Sequence, residues 1–293
     1  MQHADHWSEW ILYHRFGGNE AAKNAMLDYL YPVRDAVLAG ANVQAHETLL
    51  DVGTGDGLIA FGVLQSNPTI RVILSDISDD LLQHSRSLAQ AINVLERCSF
   101  LNMSADDLSL VESSTVDAVT MRSVLIYVQQ KQRAFAEFYR VLKPNGRLSL
   151  FEPINRFDSP QPRHLFAGYD ITPIMNVMGK IKALYSELQP FDTDPMLNFD
   201  ERDMLQWCEA AGFDQVHLQL KIDIAQSSSL MNWKNFINIA PNPNVPTLHD
   251  AMNQVLSSAE IEQATTYLSP LVNSRKAQIR SAVMYLQAVK PMP

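Results

Sequence analysis

Cysteine is nearly absent. Only Cys98 and Cys208 occur in 293 residues, which excludes a disulfide framework and a cysteine-based zinc site. Positive charge is also scarce: 23 Lys and Arg stand against 32 Asp and Glu, a net charge of −9. Such a chain lacks the sequence-independent attraction to phosphate that polynucleotide binders use, so no nucleic-acid partner is expected. Apolar runs fall short of the 18 or more residues that a membrane span requires. The opening MQHADHWSEW has no basic region followed by an apolar stretch, so it does not read as a secretory leader. What remains is a chain that is 46% apolar and 19% charged, long enough for one large domain or two modest ones. The expectation is a cytoplasmic globular protein with no membrane partner and no metal.

Strand-like and helix-like stretches alternate from about residue 48 to 153, the pattern of a parallel sheet flanked by helices. The strand candidates are TLLDV (48–52), RVILSD (71–76), SFLNMS (99–104), VDAVTM (116–121) and RLSLFEP (147–153). Between them, Ser78 is a good N-cap, with Asp79 and Asp80 in the first turn where the helix dipole favours negative charge. Residues 129–142 predict a second helix, with Phe135, Phe138, Val141 and Leu142 inward. Further on, 199–213 reads as a helix capped by Asp200 and ended by Gly212. DQVHLQLKIDIA (214–225) has strand alternation, and SAVMYLQAVKP (281–291) predicts a final strand. The rest is added material: a helical N-terminal cap (1–45), an insertion (154–198) with a helix starting at Thr172-Pro173, and a second helical insertion (226–280). We read these pieces as a lid on a single domain, 1–293, whose core is 46–153 completed by 199–225 and 281–291.

The most informative stretch is LLDVGTGDGLIAF (49–61). A strand ends at Val52, a glycine turn follows, and a helix begins between Asp56 and Leu58. Gly53, Gly55 and Gly57 allow dihedrals and close approaches that a side chain forbids. A dinucleotide fingerprint, Gly-x-Gly-x-x-Gly, needs a glycine at 58, where Leu58 stands. Asp51 precedes the turn, where an anion repels pyrophosphate and suits a cation. Asp76 closes the second strand, placed to accept hydrogen bonds from ribose hydroxyls. An acidic turn with a ribose carboxylate and no phosphate cradle fits a positively charged nucleoside, and the sulfonium S-adenosylmethionine answers that description.

These residues resemble the class I S-adenosylmethionine-dependent methyltransferases. LLDVGTGDG is similar to the family's first motif and VILSDIS (72–78) to its acidic second-strand motif. NMSADDLSL (102–110) resembles the adenine-contact segment, and YRVLKPNGRLSLFEP (139–153) the run into the fifth strand. The nearest flavour is the small-molecule group that includes the quinone C-methyltransferases. The resemblance implies an α/β fold: a doubly wound, mostly parallel, seven-stranded Rossmann-like sheet, here with added N-terminal and lid helices. It implies that Asp51, Gly53, Gly55 and Gly57 line the methionine moiety. Asp76 and Ile77 hold the ribose and flank the adenine, and Ser104, Ala105 and Asp106 meet the adenine edge. Many relatives carry Asp where Ser104 stands. Met121 and Arg122 end the fourth strand beside the methionine amino group, although Arg122 is equally a partner for Glu152.

The implied activity is methyl transfer from S-adenosylmethionine, leaving S-adenosylhomocysteine, to a small apolar or aromatic acceptor. Holding donor and nucleophile aligned does most of such work, and a base is needed only if the nucleophile carries a proton. Tyr13, His14, Glu152 and His164 are the candidates for that role, each with an ordinary structural reading beside it. Two alternatives stand: a cofactor-binding fold that is non-catalytic or repurposed, and, disfavoured by the glycine spacing, a nicotinamide-dependent oxidoreductase. The sequence leaves open whether the chain forms a homo-oligomer.

Overall fold

The computed structural model describes residues 5–15, 20–226 and 232–292. In chain order the elements are α1 (His6–Glu9), α2 (Glu20–Ala41), β1 (Thr48–Val52), α3 (Leu58–Ser66), β2 (Arg71–Asp76), α4 (Asp79–Ala91), β3 (Cys98–Asn102), β4 (Val116–Arg122), α5 (Lys131–Val141) and β5 (Leu142–Pro153). They continue with β6 (Leu165–Phe166), β7 (Tyr169–Asp170), α6 (Met175–Leu188), α7 (Glu201–Ala211), β8 (Asp214–Gln226), α8 (Trp233–Ile237), α9 (Leu248–Val255), α10 (Ser258–Asn273) and β9 (Gln278–Val289).

Seven strands form one sheet in the order β3-β2-β1-β4-β5-β9-β8. The pairs β1–β2, β1–β4, β2–β3 and β4–β5 are parallel, while β9 runs antiparallel to β5. This is the expected doubly wound, mostly parallel sheet. Strand β1 shows why its sequence is a continuous apolar run: Leu49, Leu50, Asp51 and Val52 are all buried, as in a central parallel strand covered on both faces. Local signals place the helices. Ser78 accepts from the Leu81 amide at 3.1 Å and starts α4. Asp200 and Asp203 form a reciprocal capping box on α7, which stops at Gly212 with φ +96°. On α5, Phe135, Phe138 and Val141 are fully buried as their spacing predicts. Strand β5 begins earlier than expected, at Leu142, because Leu142 pairs with Val116 ahead of a register shift in β4.

The chain divides into two compact units. One comprises residues 29–154, 199–221 and 283–293 and contains the parallel strands; the other comprises 1–28, 155–198 and 222–282. This differs from the expected single domain, and the physical reason is a separate core. Ile174, Val177, Met178 and Ile181 of the 172–188 segment bury against Leu248, Met252 and Leu268 from the second insertion. Each fully buried aliphatic side chain contributes roughly 1.5–3 kcal/mol, so these insertions sustain a cluster of their own. The expected cap at 1–45 is also shared out. Residues 29–45 fall with the parallel strands, where Val33 and Val37 pack against Ile59 and Phe151. None of the described helices is long and apolar enough to cross a membrane.

Candidate active site

At the carboxyl end of β1 the backbone turns through Gly53 (φ +62°), Gly55 (φ +56°) and Gly57 (φ +81°). All three are left-handed, a conformation that costs other residues about 1–2 kcal/mol. Contacts then pin the turn. The Thr54 amide donates to the Ser75 carbonyl at 2.8 Å and the Gly57 amide to the Thr54 carbonyl at 2.9 Å. The Ser85 hydroxyl, from α4, donates to the Gly55 carbonyl at 3.1 Å.

Two carboxylates anchor this arrangement. Asp76 accepts from the Gly55 amide at 2.9 Å on Oδ2 and from the Ser78 amide at 3.0 Å on Oδ1. Asp76 therefore joins the glycine turn to the end of β2 and the start of α4. Asp51 is 2% exposed, and its oxygens accept from the hydroxyls of Thr54 at 2.8 Å and Thr120 at 2.9 Å. Burial pushes its carboxyl up to about 6, against the opposing pull of those hydroxyls and of the Arg122 charge. Thr120 lies directly across from Asp51 in the β1–β4 register. Replacing Thr120 with valine keeps the shape and leaves Asp51 Oδ1 without that donor. Unfolding in urea should show a loss of about 1–3 kcal/mol, larger at pH 8, where Asp51 is charged, than at pH 5.

Around these groups stand the adenine-side candidates. Ile77 is 50% exposed, and its carbonyl accepts from the Asn102 side-chain amide at 3.1 Å. Ser104 donates a short hydrogen bond to Asp106, and Ala105 between them is buried. Met121 is fully buried, so its backbone is what it can offer a ligand. Beyond it, Ser123 adopts φ +56° and its amide donates to the Phe151 carbonyl at 2.9 Å. Glu152 is wholly buried and accepts on Oε1 from the amides of Val124 at 2.8 Å and Leu125 at 3.1 Å. Burial pushes its carboxyl up to about 7, opposed by those amides and by Arg122. Arg122 thus acts on both Asp51 and Glu152.

Among the described residues, two buried side-chain oxygens have no hydrogen-bond partner: Asp56 Oδ1, inside the glycine turn, and Glu152 Oε2. Both are acidic acceptors. A ligand carrying an ammonium or sulfonium charge complements them; a pyrophosphate does not. The residues therefore fit the donor that the sequence points to. The remaining candidates lie in the other unit. His14 is half exposed and sits 3.5 Å from Glu9; His164 is exposed. The side chain of Tyr13 lies outside the described residues. Sequence reading missed Thr54, Thr120, Ser85 and Asn102, whose partners are set by strand register and helix packing. Asp56 was legible as one more acid of the turn.

A doubly wound sheet with an acidic, donor-seeking glycine turn defines a class I S-adenosylmethionine-dependent methyltransferase. The chain belongs to that family. A model described as a methyltransferase domain matches residues 50–150. The ubiquinone/menaquinone biosynthesis C-methyltransferase UbiE of Paracoccus denitrificans is 30% identical over 214 residues, covering 72% of this chain and 79% of that protein. The crystal structure of the YcgJ protein from Bacillus subtilis covers 90% of this chain and 100% of its own, with a TM-score of 0.56 at 16% identity. Phosphoethanolamine N-methyltransferase 2 of Haemonchus contortus, solved with S-adenosyl-L-methionine, covers 98% of this chain and 56% of its own, with a TM-score of 0.51 at 15% identity.

Proposed function

We propose that this methyltransferase acts on a small apolar or aromatic metabolite, and that the glycine turn and its neighbours hold the donor. The observation that carries the donor assignment is Asp56 Oδ1, a buried acceptor inside the turn awaiting a donor or a cation. When bound, S-adenosylmethionine supplies a methyl group already activated on a positively charged sulfur, transferred by in-line displacement.

The chain's own residues bind and orient. Gly53, Gly55 and Gly57, with Asp56 and the backbone of Met121, line the methionine end; Asp51 works one step back, fixing Thr54 and β4. Asp76 takes the ribose and Ile77 gives the adenine an apolar face, with Ser104, Ala105 and Asp106 at the adenine edge. Arg122 balances the two buried carboxylates. No catalytic base is assigned. For the acceptor, support comes from the quinone biosynthesis for which the Paracoccus denitrificans relative is named and from a net charge of −9 that disfavours polyanions.

Asp76→Ala should weaken binding of S-adenosylmethionine and S-adenosylhomocysteine by about 1–3 kcal/mol, through a lost charged acceptor. Calorimetric titration reads this directly, and unchanged affinity would remove Asp76 from the site. Incubation with isotopically labelled donor and a panel of phenols and reduced quinones tests the acceptor class. Label on an aromatic product supports it, while donor binding without turnover on any acceptor class would point to a repurposed fold.

A further inference from the structure

The unit built from 1–28, 155–198 and 222–282 carries a half-open cavity of about 270 Å³, whose two arginines are solvent-exposed. Its floor is apolar, formed by Tyr169, Phe236, Val272 and Ala277. The rings of Tyr169 and Phe236 meet edge to face at 6.0 Å. Tyr169 is only 8% exposed, yet its hydroxyl has no hydrogen-bond partner among the described residues. The hydroxyl is not one of the solvent-excluded polar atoms, so it can donate to a group in the cavity that Tyr169 lines.

Three charged side chains line the same space: Asp158, Arg275 and Arg280. The carboxylate of Asp158 is already engaged. Its Oδ1 lies 3.2 Å from Arg280 Nε, and its Oδ2 accepts from the Gln161 amide at 2.7 Å. Arg280 is held further by stacking on Phe157, 5.3 Å from the ring centroid. The guanidinium of Arg275 has no partner among the described residues. On a chain of net charge −9, this cavity carries two guanidiniums against one satisfied carboxylate.

The backbone around it is strained. Arg275 stands at φ +56°, just past the end of α10, where helices usually place glycine. Ala167 holds φ +49° beside Gly168 at φ +81°, in the two-residue turn between β6 and β7. A side chain on Gly168 would meet the Gln278 carbonyl oxygen at 2.4 Å. Strain of this kind persists where the surroundings over-determine the backbone and gathers at ligand sites.

We propose that this cavity is a binding site for a small monocarboxylate with an apolar or aromatic body. The carboxylate pairs with Arg275 and takes the outer N–H groups of Arg280 and the Tyr169 hydroxyl; the body rests against Phe236, Val272 and Ala277. Planar guanidinium recognition of a carboxylate is the geometry that arginine favours over lysine. Its volume suits a single-ring ligand, at the small end of ligand pockets. Every lining residue belongs to one unit, and none to the unit that carries the glycine turn.

The test is titration of the full chain with benzoate, benzamide and inorganic phosphate, followed by the resonances of the small molecule. Benzoate should bind saturably with a Kd of about 1 mM or tighter, and benzamide and phosphate at least tenfold more weakly. Arg275→Gly removes the guanidinium and places glycine where the backbone is left-handed, so the variant should fold at least as well as the parent. It should lose at least tenfold in benzoate affinity, while Asp76→Ala should leave that affinity unchanged. Absence of saturable benzoate binding, equal binding by benzamide or phosphate, or undiminished binding by Arg275→Gly would each overturn the proposal.

Discussion

Glu152→Gln is expected to raise stability at pH 8 by about 3 kcal/mol and to flatten its pH dependence. The wild-type carboxyl ionises near its ordinary 4.5 when unfolded but only at about 7 when folded. Between those values the native state holds a proton that the unfolded state has released, so stability falls as pH rises through the window and levels off above it. Glutamine removes the charge and keeps an oxygen for the amides of Val124 and Leu125, which Oε1 now serves. Asp51 adds a slope of the same sign between 3.8 and about 6, which the variant should retain. The carboxylate of Glu137, held low by Arg140, has the opposite sign and acts below its ordinary 4.5. Urea unfolding at pH 5 and pH 8 measures the effect; an undiminished slope between those pH values in Glu152→Gln would assign the cost elsewhere.

Gly53→Ala should cost about 2–5 kcal/mol of stability and weaken S-adenosylmethionine binding at least tenfold. Two terms add. The residue sits at φ +62°, which costs an alanine about 1–2 kcal/mol. Its added Cβ would fall 2.3 Å from Val124 Cγ2, and overpacking of that kind costs roughly 1–3 kcal/mol. Val124 is the residue whose amide Glu152 holds, so its displacement strains the loop after β4 along with the turn. Gly179→Ala is the natural control. Gly179 lies in α6 with no atom within 4 Å of an added Cβ, and alanine there should stabilise the helix by roughly 0.5–1 kcal/mol. Thermal melts and calorimetric titration of both variants separate the outcomes. If Gly53→Ala binds the donor normally, the backbone at that position is not part of the cradle.

The buried carboxylates differ in how visible they are in the sequence. Asp51 and Asp76 stand out in the sequence because one lies a residue before the end of β1 and the other ends β2, and a buried acid at such a place demands a partner. Their partners are another matter. Asp76 meets amides of Gly55 and Ser78, one 21 residues away and one two away; Asp51 meets Thr120, 69 residues distant. The sequence offers Glu152 both as an arginine partner and as a candidate base. It turns out to be bonded to the amides of Val124 and Leu125, a contact with no sequence signal.

What the sequence determined by itself is local in cause. Hydrophobic runs and amphipathic faces set the alternation of strands and helices, and Ser78, Asp200 and Gly212 set helix ends through bonds reaching a few residues. Glycines 53, 55 and 57 announced a left-handed turn because little else tolerates one. The tertiary structure alone decided which hydroxyls satisfy Asp51, that Glu152 holds the loop after β4, and that the insertions bury a core of their own. It alone brought Arg275, Arg280 and Tyr169 around one cavity. Each of these depends on register or packing between segments far apart in the chain, and such pairings leave no periodic trace in a single sequence.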